Sequence, residues 1–304
     1  MTASCWMIGM NHAYGRETRR YMLFALVAGL ALLGVESWLF GARLWALGAV
    51  GAAASLAVEW LFARVRRKPA TGGAAVHGLM LALLVPSDLP FWMMALAAVV
   101  GTLFAQEAFG GLETCVFHPV LIAKTFLLVS YPSHNAACTL TTPEMQEALG
   151  PRGAALLAGC LLLALALSVA LRPQTALAYL GLAAGACVTL FAVIGLSRVG
   201  EVSAWKDCLV GGDFDVRYIF LNDHWLLTAV LFAALPSCLP RHAAGKLAIG
   251  FLAGFLGLLI RGFGRYPESM AFAILICNAV APALDWALTG GKAAVEDGGQ
   301  GARD

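Results

Sequence analysis

Residues 21–40 (YMLFALVAGLALLGVESWLF) and 44–63 (LWALGAVGAAASLAVEWLFA) are two long apolar runs separated only by Gly41-Ala42-Arg43. Each approaches the roughly 20 residues that an α-helix needs to cross a hydrocarbon core about 30 Å thick. Within lipid every backbone N–H and C=O must find its partner inside the protein, which leaves helices and closed barrels as the spanning structures. Continuous runs of this length are helical, so the expected class is an all-α, polytopic membrane protein. The composition agrees: 60% of residues are hydrophobic and 12% charged, against about 25% charged in soluble domains. With a net charge of +2 and no basic stripe away from the membrane flanks, nucleic acid is excluded as a partner and lipid is the expected surround.

The later apolar pieces are less regular. Residues 73–85 are short and close on Pro86-Ser87-Asp88-Leu89-Pro90, and 91–105 and 117–131 follow. Residues 153–171, 175–197, 224–235, 246–260 and 270–288 complete about ten crossings, some short or broken, as in the discontinuous helices of transporters. Arg16, Arg19 and Arg20 precede the first span, and Arg64, Arg66, Arg67 and Lys68 follow the second. The positive-inside rule puts both clusters, and both termini, on the cytoplasmic side of the inner membrane. Residues 1–20 lack an apolar h-region and read as a cytoplasmic segment before a retained span. Residues 21–288 form the membrane domain, with an outer polar loop at 132–152, and the Gly-rich, charged stretch 289–304 reads as a disordered tail.

One motif recurs. Leu84-Val85-Pro86-Ser87-Asp88-Leu89-Pro90 returns as Ala234-Leu235-Pro236-Ser237-Cys238-Leu239-Pro240, and each copy precedes a further span and a Phe-Gly corner. A lone proline pair merely ends helices. Two copies in matched settings, separated by five spans, predict halves at about 21–131 and 153–288 that face opposite ways across the membrane.

The stretch Gln106–Pro132 gathers residues that lipid-facing helices avoid. Gly110 and Gly111 make a corner, Pro119 opens the next apolar segment, and Pro236 and Pro240 mark the corner of the second half. Glu59, Glu107 and Lys124 are charges within or at the ends of spans, where each costs at least ~2.5 kcal/mol without a partner or water. They are candidates for an ion path. Equally, Glu59 and Glu107 lie near enough to the interface to reach solvent, and Lys124 can pair with one of them. His77 and His118 have no second histidine at helical spacing, and the eight cysteines show no CxxC or zinc-like pattern, so no metal site is expected. Cys115 and Cys238, both at corners, fit small-residue packing.

The segments GLMLALLVPSDLPFW (78–92), EAFGGLETCVFHPVLIAKTFLLVSYP (107–132) and IRGFGRYPESMAFAILICNAVAPALD (260–285) resemble one family along nearly the whole chain. It comprises the D subunit of the Rnf electron-transport complex and the B subunit of the sodium-translocating NADH:quinone reductase. The resemblance implies two inverted five-helix halves, partner subunits, and coupling of electron transfer to Na+ or H+ movement by a complex rather than by this chain as an enzyme alone. It also implies an FMN joined through its phosphate to Thr142; of the attachment motif, only Thr142-Pro143 is present. The alternative from a different class is an inverted-repeat permease or channel for a small solute.

Overall fold

A computed structural model describes residues 15–67, 70–135, 143–198, 225–232, 235–264 and 268–288. Among them are ten helices longer than one turn and no strand: α1 (Arg16–Phe40), α2 (Arg43–Val65), α3 (Gly73–Leu81), α4 (Phe91–Gly101), α5 (Pro119–Ser130), α6 (Pro143–Leu171), α7 (Ala176–Arg198), α8 (Trp225–Phe232), α9 (Ala243–Gly264) and α10 (Ser269–Leu288). A 3-10 turn (Ala82–Leu84) ends α3, a π-helical stretch (Thr102–Glu107) extends α4, and Pro236–Cys238 form a 3-10 turn before α9. Segments belonging to α1, α2, α7, α9 and α10 are long and apolar enough to cross a membrane. Shorter apolar helices cover Gly73–Leu84, Phe91–Glu107, Pro119–Ser130 and Ala155–Leu171. The chain is an all-α polytopic membrane protein, and Trp38, Leu163, Phe191 and Trp286 are exposed on its outside, where lipid supplies the contact that water would not.

One boundary needs correction. The stretch read as a loop over 132–152 is helical from Pro143 onward. Proline is well suited to a first helical position, and Glu144, Met145, Gln146, Glu147, Ala148 and Leu149 favour helix in sum. Polarity alone suggests a loop there.

Contacts along each helix pair fix the helix directions. In the first half α2 and α3 are antiparallel: Gly51 meets Gly78 while Gly48 faces Ala82. Helices α2 and α4 run parallel, since Ser55 bonds Thr102 and, further along both, Arg66 bonds Glu107. In the second half α7 and α9 run parallel, with Gly181 against Leu247 and Gly185 against Phe251. Helices α9 and α10 are antiparallel, with Gly257 against Met270 and Gly245 against Leu288.

Two pairs then set the halves against one another. The start of α1 meets the end of α6 through Glu17 and Arg172 (3.2 Å). Helices α5 and α10 are antiparallel: Lys124 within α5 reaches Glu268 at the start of α10, and His118 at the start of α5 reaches Asn278 within α10. Helices α5 and α10, which occupy corresponding places in the two halves, therefore point in opposite directions, and α1 and α6 likewise meet start to end.

Candidate functional site

The polar interior begins where α2, α3 and α4 meet. Helices α2 and α3 touch backbone to backbone, because a Cβ on Gly51 or Gly78 would run into the other's carbonyl. Glycine permits that approach, as at many membrane-helix crossings. Beyond the crossing, the Glu59 carboxylate accepts from the backbone N–H groups of Thr71 (2.7 Å), Gly72 (2.9 Å) and Ala74 (3.0 Å), and from the Thr71 hydroxyl. A carboxylate so placed satisfies the orphan donors at the start of α3 and complements its dipole. Its geometry is that of a helix cap.

Between α2 and α4 the Thr102 hydroxyl donates to the Ser55 Oγ (3.0 Å). Both line a cavity of about 10 Å3 with His77, Gly101, Pro119 and Ala123, just enough for one water. Both ring nitrogens of His77 and Oε1 of Gln106 lack a hydrogen-bond partner in good geometry, although the two side chains are close enough to interact. The wide π turns at Thr102–Glu107 carry Gln106 and Glu107 inward; such bulges recur at functional sites. The Gln106 amide donates to Glu107 Oε1 (3.1 Å), and Arg66 donates to Glu107 Oε2 (2.7 Å) and to the Glu107 carbonyl. The Arg66 side chain is 29% exposed and that of Glu107 only 5%, so Arg66 links a buried carboxylate to the surface.

The corner after Glu107 depends on glycine. Gly110 and Gly111 have φ of 100° and 131°, a region that other residues enter at a large steric penalty. Their N–H groups bond the carbonyls of Glu107 (3.1 Å) and Gln106 (3.0 Å), closing the end of the π stretch. The chain then enters α5 with His118 as N-cap and Pro119 at the first position. His118 Nδ1 accepts from the Val120 N–H (3.3 Å). A neutral ring then carries its proton on Nε2, which donates to the Tyr21 hydroxyl (2.7 Å). The His77 ring lies edge-on to His118 at 5.6 Å between centroids.

At the junction of the halves, Lys124 Nζ lies 2.7 Å from Glu268 Oε1, with the two side chains 0% and 4% exposed. With its amide oriented to satisfy both neighbours, Asn278 donates to the Ile274 carbonyl (3.2 Å) and accepts from the His118 N–H (3.3 Å). Nearby, Cys115 Sγ is 3.0 Å from Ser237 Oγ, and the Cys238 thiol donates to the Cys115 carbonyl (3.8 Å). Pro236 opens the 3-10 turn of this second corner, and Pro240 packs where a Cβ on Gly245 would fall.

The sequence candidates thus separate. Glu107 and Lys124 are both buried, in different places, and Lys124 pairs with neither Glu59 nor Glu107. Its partner, Glu268, escapes a sequence reading because it sits beside an apolar run and not inside one; its place in the IRGFGRYPES corner, matching the corner before α5, is the available signal. Tyr21, Gln106 and Asn278 escape too, since none stands out by charge. Thr142 lies outside the described residues. Among those described, no group of three or more His, Cys, Asp or Glu is arranged to hold a metal ion.

In the second half the equivalent helices α7 and α9 pack backbone to backbone. Gly181, Gly185, Gly250 and Gly254 each meet backbone of the facing helix. Chemically, the first half offers a carboxylate paired with an arginine, a water-sized polar cavity and a histidine–tyrosine pair, and the junction offers an ion pair shared by both halves.

The model of the NQR2, RnfD, RnfE family matches residues 10–214 and 153–291. The chain is 23% identical to the D subunit of the ion-translocating oxidoreductase complex of Actinobacillus pleuropneumoniae, over 92% of this chain and 96% of that protein. It is 28% identical to the proteins of the same description from Salmonella paratyphi B and Salmonella typhimurium, over 89% of this chain and 93% of each. With more than half of its length matched, an inverted pair of helical halves and a proline-cornered polar interior, the chain belongs to the NQR2, RnfD, RnfE family.

Proposed function

We propose that this chain is the D-type membrane subunit of an ion-translocating oxidoreductase complex, which couples electron transfer to movement of Na+ or H+ across the inner membrane. Both termini face the cytoplasm, and the other subunits supply the electron donor and acceptor. Arg66 and Glu107 form the cytoplasmic entry, because Glu107 is buried yet tied to a cation that is partly open to the surface. The Lys124–Glu268 pair is the coupling element. It is the observation that carries the reading: a buried charge on each half, in direct contact where α5 meets the start of α10. Movement of one half against the other must remake that pair, and a translocated cation competes with Lys124 for the carboxylate. A flavin phosphate ester at Thr142 is proposed from Thr142-Pro143 alone, and flavin fluorescence of the denatured, washed chain tests it.

The decisive experiment reconstitutes the whole complex in vesicles with Glu107→Gln and Lys124→Met. Electron transfer is expected to continue while ion movement is lost; ion movement at the native rate refutes the assignment.

A further inference from the structure

A further acid lies inside the bundle, apart from the Glu59 cap, the Glu107 entry and the Lys124–Glu268 pair. Glu36 sits on α1 one turn before its end at Phe40, far along the helix from Arg16. It is 3% exposed, and its Oε1 has no hydrogen-bond partner among the described residues. It continues the buried stripe of Leu32 and Leu33; Leu33 lies in the notch left by Gly48 of α2, opposite Ala82.

The titratable and charged groups on the elements packed against α1 are few. On α2 they are Arg43, Glu59 and Arg64; on α3, His77; in the following corner, Asp88; on the 3-10 turn before α9, Cys238; and on α6, Cys160 and, at its end, Arg172, which pairs with Glu17. The side chains of Glu144, Glu147 and Arg152 on α6 lie outside those described. Arg43, nearest in sequence, donates to the Leu89 carbonyl (3.0 Å) and lies over the Phe91 ring. Glu59 is taken up at the start of α3, and Asp88 is exposed.

Among the described residues an ionised Glu36 carboxylate has neither water nor a counter-charge beside it, a state that proteins avoid by neutralising the group. Sequence economy argues the same way, because an intramembrane acid without a structural partner is retained for function more often than by accident. A desolvated alkali cation needs a shell of oxygens, and the buried residues that precede Glu36 on α1, Leu32 and Leu33, offer no side-chain oxygen.

We infer that Glu36 is a proton-binding site, placed on the face of the protein opposite the Glu107 entry, where it takes up and releases a proton at the outer end of the path. This rests on the proposed role in ion translocation. The site itself can be read out independently of pumping.

A hydrophobic carbodiimide, dicyclohexylcarbodiimide, is the probe. The carboxylic O–H protonates one nitrogen of the reagent, the carboxylate oxygen adds to its central carbon, and the adduct rearranges to an N-acylurea. The whole reagent is added and nothing leaves, so an ionised or salt-bridged acid reacts poorly. In membranes holding the intact complex, the peptide containing Glu36 should gain the reagent mass at neutral pH, with labelling falling as the external pH becomes alkaline and unchanged by Na+. Glu36→Gln should leave that peptide unlabelled. No labelling at any pH, or labelling that ignores external pH, overturns the inference, and suppression by Na+ overturns the choice of a proton. In the reconstituted complex Glu36→Gln should abolish ion movement and Glu36→Asp should retain part of it. Full activity of Glu36→Gln overturns the role in the path. If the native complex moves no ion at all, the parent reading fails while the labelling result stands.

Discussion

Replacing Lys124 with Met removes one member of a pair whose charged atoms lie 2.7 Å apart and whose side chains are 0% and 4% exposed. At that separation the attraction is about 6 kcal/mol with an effective dielectric constant of about 20. Several kcal/mol per ion went into removing both groups from water. The net worth of the pair is therefore small, but the loss of either partner alone is large, because the other charge stays buried. Lys124→Met and Glu268→Gln should each destabilise the protein by about 3–5 kcal/mol. The double variant, which buries no charge, should fall within about 1–2 kcal/mol of native, since neutral replacements of a buried pair are often near neutral. Equilibrium unfolding in mixed micelles measures all four proteins, and the cycle should return a coupling of about 3 kcal/mol or more. If the two single effects simply add in the double variant, Lys124 and Glu268 do not interact as argued, and the coupling element proposed between the halves goes with them.

Glu59→Gln should lower stability by about 1–3 kcal/mol, since an amide oxygen cannot replace a carboxylate that accepts three backbone N–H groups, while the ratio of ions moved to electrons transferred stays native. Gly78→Ala should cost about 1–3 kcal/mol or prevent folding, because the new Cβ collides with the Gly51 carbonyl; native stability would show that the two backbones do not touch. Asp88 and Arg241 are exposed in the proline corners of opposite halves, so single cysteines placed there in a cysteine-free background should react with an impermeant thiol reagent from opposite sides of the membrane. Labelling of both from one side would refute the inversion.

The fold was open to reading because its main constraint is local. Helix is the only way to pair the backbone of an isolated apolar run in lipid, so residues 21–40 and 44–63 declare themselves without neighbours. The inversion was legible for a related reason: the repeated proline corners are short motifs, and their odd spacing in spans is a matter of counting. The segment 143–152 was misread because polarity and helix propensity point different ways there, and the long helix α6 extends through it.

The site divided along similar lines. Gly110 and Gly111 could be placed at a corner from the sequence, since two glycines after a span mark a backbone that other residues resist. The roles of Glu59 and Lys124 could not, because a charge announces its cost and not its partner. Glu59 finds its partners 12 to 15 residues away in the start of α3, whereas Lys124 finds Glu268 across the junction of the halves. Sequence alone determined that this chain spans a membrane as two oppositely directed sets of helices, because the bilayer acts on every segment separately. Only the tertiary structure decided which buried acid caps a helix, which answers a lysine and which, Glu36, has no partner among the described residues, because Coulomb attraction and desolvation depend on distances between segments that the order of residues does not contain.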